Sequence, residues 1–247
     1  MRAYFEVMPF GLTNAPATFQ RMMDMVLAGL KWQSCLVYLE EVIVFSKTFD
    51  DHLDDLRGVV VRFREAGLTL KSSKCHFCLP KLHYLGYVIS PDGVATDPDK
   101  VKAITAITRL SSEAGPELSW MTSYYRRFIH NYAKVAAPLN DLLKKDAKFQ
   151  WTAACDQALG ALKTALTSAP ILMHPNFSEP FIIRTDASKT GLGAMLVQRP
   201  NDLERVVLYA SRSTHGAESS YSAQELEALA IIWACEQFRP FITVETD

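Results

Sequence analysis

Two short apolar runs, Cys35-Leu36-Val37 and Val42-Ile43-Val44-Phe45, flank the tetrapeptide Tyr38-Leu39-Glu40-Glu41. Both runs are rich in β-branched and aromatic side chains, so they read as two strands with the acidic pair at a hairpin tip. A tip chosen for turning favours Asn-Gly or Asp-Gly, which accept positive φ. Adjacent glutamates bring no such freedom and repel each other. Their placement suits a divalent cation, because hard ions take carboxylate oxygens. The plain alternative is a solvated acidic turn.

Helical spacing surrounds this hairpin. Asn14 and Pro16 mark a helix start, followed by Phe19, Met22, Met23, Val26, Leu27 and Leu30 on one face. Downstream, Thr48 and Asp51 have capping-box-like spacing, Leu53, Leu56, Val60 and Phe63 form a helical face, and Gly67 is a stop signal. The aspartates at 50, 51, 54 and 55 fit a solvated face with a helix-start preference. Strands are expected at 68–70 and 82–89, and Ser90-Pro91-Asp92-Gly93 reads as a turn. Asp97-Pro98 opens a helix with Val101, Ile104 and Ile107 on one side, and Ser111 to Pro116 reads as a linker. Further helical stretches are expected at Tyr124–Phe128, from Ala137-Pro138, and through Leu159, Leu162 and Leu166. Strand-like runs at 181–186, 192–198 and 206–210 precede a long helix at about 222–238 and a last strand at 241–246.

With 247 residues and 49% hydrophobic content, the chain has room for two or three small domains. It lacks a membrane-length apolar run and a signal-peptide pattern, and its five cysteines are odd in number, so an intracellular location is expected. The net charge of −1 rules out a global field attracting nucleic acid. The last third is acidic, with 7 basic and 11 acidic side chains in residues 151–247, which is compatible with a carboxylate metal site. Cys75-His76-Phe77-Cys78 with His83 nearby is a weak zinc pattern, since no second pair follows. The blander reading is a β-hairpin beginning with two small buried thiols.

The segment Phe5-Glu6-Val7-Met8-Pro9-Phe10-Gly11-Leu12-Thr13-Asn14-Ala15-Pro16-Ala17-Thr18-Phe19-Gln20, the acidic hairpin, Tyr124-Tyr125-Arg126-Arg127-Phe128 and Thr185-Asp186-Ala187-Ser188 together resemble the reverse transcriptase and RNase H region of gypsy-type LTR retrotransposons. The resemblance implies an α+β chain in three parts: a partial polymerase palm (1–90), a helical thumb and connection (91–150), and a C-terminally truncated RNase H-like mixed sheet with helices (151–247). It implies RNA-directed DNA polymerase and RNA–DNA hybrid ribonuclease activities, with an RNA template, a DNA primer and a hybrid as partners, other polyprotein domains beside them, and no membrane. It also implies two Mg²⁺ or Mn²⁺ ions.

In the palm the resemblance assigns Glu40 and Glu41 as catalytic metal ligands, where the family has two aspartates. The family's earlier palm aspartate has no counterpart in the sequence. Glu for Asp displaces a carboxylate by roughly 1.5 Å. Mg²⁺ demands near-ideal octahedral geometry, so the isolated chain is expected to be impaired in polymerisation. Phe10, Gly11 and Gln20 become nucleotide or template neighbours, and 82–89 becomes the primer grip. In the RNase H-like part, Asp186, Glu227 and Asp247 become the catalytic and metal-binding set. Glu227 is preferred to Glu225 because Ser222 and Glu225 have capping-box spacing, which gives Glu225 a structural role. Lys71, Lys74, Arg126, Arg127, Lys144 and Lys145 are candidate contacts to a nucleic-acid backbone, with Tyr124 and Tyr125 packing on sugar or base. The segment 117–124 is about three residues shorter than in the family, and the stretch between Phe238 and Thr243 is also shorter. The alternative reading is a degenerate or domesticated remnant that binds nucleic acid without catalysis.

Overall fold

The computed structural model describes residues 8, 11–107, 122–144 and 149–243. The fold is α+β, and the chain divides into two compact units, Met1–Leu79 and Pro80–Asp247.

The first unit is a helix–hairpin–helix layer. Helix α1 (Ala15–Val26) starts after Asn14 with Pro16 in its first turn, although the Asn14 side chain makes no capping bond. Strands β1 (Cys35–Tyr38) and β2 (Glu41–Val44) pair antiparallel from Cys35↔Val44 to Tyr38↔Glu41. Helix α2 (Phe49–Glu65) is capped by Thr48, whose hydroxyl accepts from Asp51 N at 3.2 Å. At its other end Gly67 (φ +68°) lets Leu68 N donate to Phe63 O at 2.9 Å and Gly67 N donate to Arg64 O at 3.1 Å. These two bonds satisfy the last carbonyls of the helix. Met23, Leu27, Cys35, Val37, Val59 and Phe63 form the core.

Three expectations fail in this unit. The buried stripe of α2 runs through Val59 and Phe63, whereas Leu53 is exposed. Residues 68–70 are not a strand, because the Leu68 amide is used to end α2. The cysteine segment is not a hairpin with buried thiols either. It follows a short 3₁₀ turn (Ser72–Lys74), with Cys78 exposed at φ +52° and Cys75 half-buried, donating its thiol to Lys71 O. All five cysteines are free.

The second unit begins with the antiparallel sheet β3 (Leu82–Tyr84), β4 (Tyr87–Ser90) and β5 (Gly93–Thr96). The single strand expected over 82–89 is two strands, because Leu85 (φ +47°) and Gly86 (φ +70°) reverse the chain in a two-residue turn. Helix α3 (Pro98–Ala106) is capped by Asp97, which accepts from Asp99 N at 2.9 Å. Helix α4 (Tyr132–Asp141) starts five residues before the expected Ala137 and carries Pro138 inside it. Pro138 looked like a helix start in the sequence, but here it gives up one intrahelical bond and packing carries the helix through it. Helix α5 (Ala153–Thr167) completes a core that includes Ile104, Phe128, Leu139, Leu159, Leu162 and Leu166.

The last sheet, β6 (Ile182–Ser188), β7 (Gly191–Gln198) and β8 (Arg205–Ser213), is antiparallel in that order. Helix α6 (Ala223–Ile242) packs on it through Leu226, Ala230, Trp233, Ala234 and Phe238. The strand expected from 241 does not begin there: Phe241 and Ile242 continue α6, and Thr243 N donates to Arg239 O at 3.0 Å. Residues 244–247 lie outside the described residues. Beside α6, Arg212 forks onto Glu218 at 2.6 and 2.9 Å and holds that carboxyl down to about 2.

Backbone bonds stitch the two sheets of this unit together. Val94 N donates to Leu172 O (2.8 Å), Leu172 N returns a bond to Val94 O (2.9 Å), and Met173 N donates to Val206 O (2.8 Å). Among the described residues, no helix is long and apolar enough to cross a membrane.

Candidate active site

The acidic hairpin is an ordered feature braced from α1. Tyr38 pairs with Glu41, so Leu39 and Glu40 form the turn and Glu41 opens β2. Leu39 has φ +52°, a conformation that a leucine pays for in steric strain. Gln20 offsets it: its Oε1 accepts from Leu39 N at 2.6 Å. The Gln20 amide group in turn donates to Asp24 Oδ1 at 2.9 Å, and Lys31 bonds the same oxygen. The Lys31 ammonium, followed by the Gln20 amide, holds the Asp24 carboxyl below its usual range. Glu40 and Glu41 are both exposed and enter no ion pair among the described residues. Both polar ends of Gln20 are therefore occupied within the protein. Gln20→Ala is expected to cost about 1–2 kcal/mol, because the Leu39 amide loses its acceptor. Loss of hydrogen-exchange protection at that amide would report it. Gly11 lies in an exposed turn at φ +87°, and Phe10 lies outside the described residues.

In the last sheet, Asp186, Gly193 and Ser211 form one row across the three strands. The neighbouring rows, with Thr185, Ala194 and Ala210 on one side and Ala187, Leu192 and Arg212 on the other, alternate with it. Leu192, Ala194, Ala187 and Ala210 belong to the cluster packed against α6. The Asp186 row faces the start of α4 instead, where Ala133 N donates to Ser211 Oγ at 2.9 Å. Asp186 itself accepts from Asn131 Nδ2 at 2.9 Å through Oδ2. It has no cationic partner among the described residues.

Glu227 is exposed on α6. Its neighbour Glu225 is used as expected: Ser222 N donates to Glu225 Oε2 at 2.8 Å and Glu225 N donates to Ser222 Oγ at 3.3 Å. No hydrogen bond or ion pair joins Asp186 to Glu227. Asp247 lies outside the described residues. Among the described residues, no three His, Cys, Asp or Glu side chains converge to hold a metal, at these carboxylates or at Cys75 and Cys78. The pocket at Asp186 holds one carboxylate together with Lys134, Asn131, Ser188 and Ser211, so the described residues by themselves do not form a site for Mg²⁺ or Mn²⁺.

Tyr125 serves a different purpose from the one expected. Tyr125 is only 2% exposed, which excludes base stacking. Its hydroxyl donates to Gly86 O at 2.6 Å, and the Tyr124 hydroxyl donates to Leu85 O. Tyr87 stacks on Tyr124 with ring centroids 5.1 Å apart. Two consecutive tyrosines thus hold the two carbonyls of the β3–β4 turn, and burial pushes the Tyr125 phenol up to about 12. Arg126 and Arg127, in the following 3₁₀ turn, are exposed, as are Lys71 and Lys74 in the first unit. Lys144 is exposed and pairs with Asp141 at 2.7 Å, while Lys145 and residues 117–121 lie outside the described residues. Sequence reasoning passed over Asn131. The available signal was an Asn directly before a helix, a residue type that, apart from glycine, is among those that best tolerate its φ of +52°.

A braced carboxylate hairpin in one unit, and in the other a three-stranded sheet with a long helix on one face and an exposed aspartate on the opposite face, define a polymerase-palm and RNase H-like class of α+β protein. Residues 1–89 match the family described as reverse transcriptase (RNA-dependent DNA polymerase), and residues 151–246 match the RNase H-like domain found in reverse transcriptase. Among similar proteins, the retrovirus-related Pol polyprotein from transposon 297 of Drosophila melanogaster is 40% identical over 239 residues, covering 95% of this chain and 22% of the relative. The Pol polyprotein from transposon gypsy of the same organism is 33% identical over 253 residues, covering 95% of this chain and 24% of the relative. A solved structure, the foamy viral protease-reverse transcriptase in complex with RNA/DNA hybrid, aligns with a TM-score of 0.81 at 20% identity, over 96% of this chain and 32% of that one. The chain belongs to the reverse transcriptase and RNase H-like region of retrotransposon Pol polyproteins, and it spans about a quarter of the curated relatives it matches. Families of this kind generally use divalent metals.

Proposed function

We propose that this chain engages RNA–DNA hybrid and cleaves its RNA strand at Asp186 and Glu227, with Mg²⁺ or Mn²⁺ as cofactor. The observation that carries this reading is the state of Asp186. It is exposed, is held by one donor on one oxygen, and enters no ion pair among the described residues, although Lys134 lines the same pocket. By resemblance Asp186, Glu227 and Asp247 would hold the ion; in this structure Asp186 faces the start of α4 and no bond joins it to Glu227 on α6. A bound divalent ion there supplies Lewis-acid polarisation of the scissile phosphate and an activated water. The remaining work falls to the chain itself. Exposed Arg126, Arg127, Lys71 and Lys74 offer cations to the phosphate backbone, and the Leu85–Gly86 turn, held by two tyrosines, offers a rigid edge to the primer strand. That solved relatives of this fold are complexes with hybrid or double-stranded DNA supports nucleic acid as the partner. The domain limits 1–90, 91–150 and 151–247 are part of the same proposal.

The palm hairpin is assigned a weaker role. Glu40 and Glu41 would be the ligands there. Their extra methylene carries each carboxylate roughly 1.5 Å from the position an aspartate would give it, so Mg²⁺ with its strict octahedron is held poorly. This substitution favours a second reading, binding without catalysis. Mn²⁺-dependent cleavage of a hybrid separates the two. The first reading requires RNA-strand cleavage that Asp186→Asn removes while hybrid affinity persists; the second requires affinity with no cleavage.

A further inference from the structure

Between Tyr125 and Ala136 burial sorts the side chains into two sets. Tyr125, Phe128, Ile129, Tyr132, Ala133 and Ala136 are buried. The four exposed side chains are Arg126, Arg127, His130 and Lys134, every one of them basic. No aspartate or glutamate occurs between Glu117 and Asp141, and none of the four enters an ion pair among the described residues. The segment lies outside both matched family regions. Its far end is pinned to the face of the last sheet opposite α6. Asn131 Nδ2 donates to Asp186 Oδ2 at 2.9 Å, and Ala133 N donates to Ser211 Oγ at 2.9 Å. Lys134, three residues after Asn131 and so on the same side of α4, lines the small polar pocket with Asp186, Ser188 and Ser211. Asn131 Nδ2 can only donate, so His130 Nε2, 3.0 Å away, accepts, and the ring keeps a donor at Nδ1.

We infer that Arg126, Arg127, His130 and Lys134 form a track for the phosphodiester backbone of a nucleic-acid strand, with Lys134 holding the phosphate that lies beside Asp186. An extended row of single cations suits a repeating anion, because each cation meets one phosphate and fixes the register of the strand. A phosphate at the Asp186 end also faces a carboxylate. Lys134, in the same pocket, offsets that repulsion. The two bonds from Asn131 and Ala133 hold the first turn of α4 in place before any strand arrives, which lowers the ordering cost of binding. The inference rests on the RNA–DNA hybrid being the partner, as proposed above, and needs no metal ion.

The test is equilibrium binding of the full chain to a fluorescently labelled RNA–DNA hybrid, in EDTA and across a salt series. A cation on one phosphate contributes about 0.9 to the slope of log affinity against log salt. Lys134→Gln is therefore expected to lower that slope by about 0.9 and the affinity by about five- to tenfold at roughly 0.1 M salt. Lys134→Arg should keep both, which separates lost charge from a damaged fold. Arg126→Gln combined with Arg127→Gln should lower the slope by about twice as much as Lys134→Gln. Lys102→Gln removes an equal charge from an exposed lysine already paired with Asp99, and should leave slope and affinity unchanged. If the unmodified chain binds hybrid and Lys134→Gln binds it with the same slope and affinity, the track is overturned and hybrid engagement stands. If Lys134→Gln weakens binding of an aspartate-rich peptide but not of the hybrid, the strip is a protein-docking face and the track is likewise overturned. If the unmodified chain binds no hybrid, the proposed function fails and the track falls with it.

Discussion

Gly93→Ala is expected to destabilise the Pro80–Asp247 unit by on the order of 3–5 kcal/mol, among the largest single-residue effects in the chain. Two costs coincide. Gly93 opens β5 at φ +135°, a backbone region that side chains strongly resist. A Cβ there would also meet the Leu172 carbonyl oxygen at 2.1 Å and its carbon at 2.9 Å. That carbonyl cannot simply yield, because it accepts the Val94 amide at 2.8 Å in the bridge linking the β3–β5 sheet to the segment entering the last sheet. Relief of the clash must break the bridge. In a unit of this size the melting temperature should fall by about 10 °C or more. Gly160→Ala is the control: nothing lies within 4 Å of the added methyl group, and the site is helical. A similar melting temperature for both variants would remove the bridge from the account.

Phe238→Ala should cost about 3–5 kcal/mol by leaving a ring-sized void. Phe238 is fully buried near the end of α6, in the cluster that includes Leu192, Ala194, Leu196 and Ala234. The cluster is one helix on one face of three strands, so few side chains are available to collapse into the gap. Phe238→Leu, which retains most of the volume, should recover much of the loss. Urea unfolding of the two variants measures the difference. Equal stabilities for Phe238→Ala and the unmodified chain would mean that α6 is not docked on this sheet.

Some of this architecture was plain from the residues. The acidic hairpin, the α1 stripe and the three strands of the last sheet follow from local apolar patterning, which a period of 2 or 3.6 reveals without tertiary information. The choice between Glu225 and Glu227 was also partly local, since Ser222 and Glu225 engage each other as their spacing implied. The misreadings share a cause. Leu85 turns the chain at positive φ with only Gly86 to signal it, so two strands read as one. Pro138 sits within α4 because its neighbours Ala136 and Leu139 are buried, and tertiary packing outweighs the lost bond. At the site, the Asn131 contact and the Val94–Leu172 bridge are long-range, and no local periodicity encodes them. Tyr125 looked like a nucleic-acid contact beside two arginines, yet burial commits it to the Gly86 carbonyl.

Single-turnover cleavage of an RNA–DNA hybrid in Mn²⁺, run with the unmodified chain and Asp186→Asn at saturating protein, tests the central claim most directly. The account predicts RNA-strand cleavage by the unmodified chain, loss of at least about a hundredfold in rate with Asp186→Asn (about 2.7 kcal/mol at 1.36 kcal/mol per decade), and unchanged hybrid affinity. Cleavage at equal rates by both proteins, or hybrid binding with no cleavage by either, would contradict it.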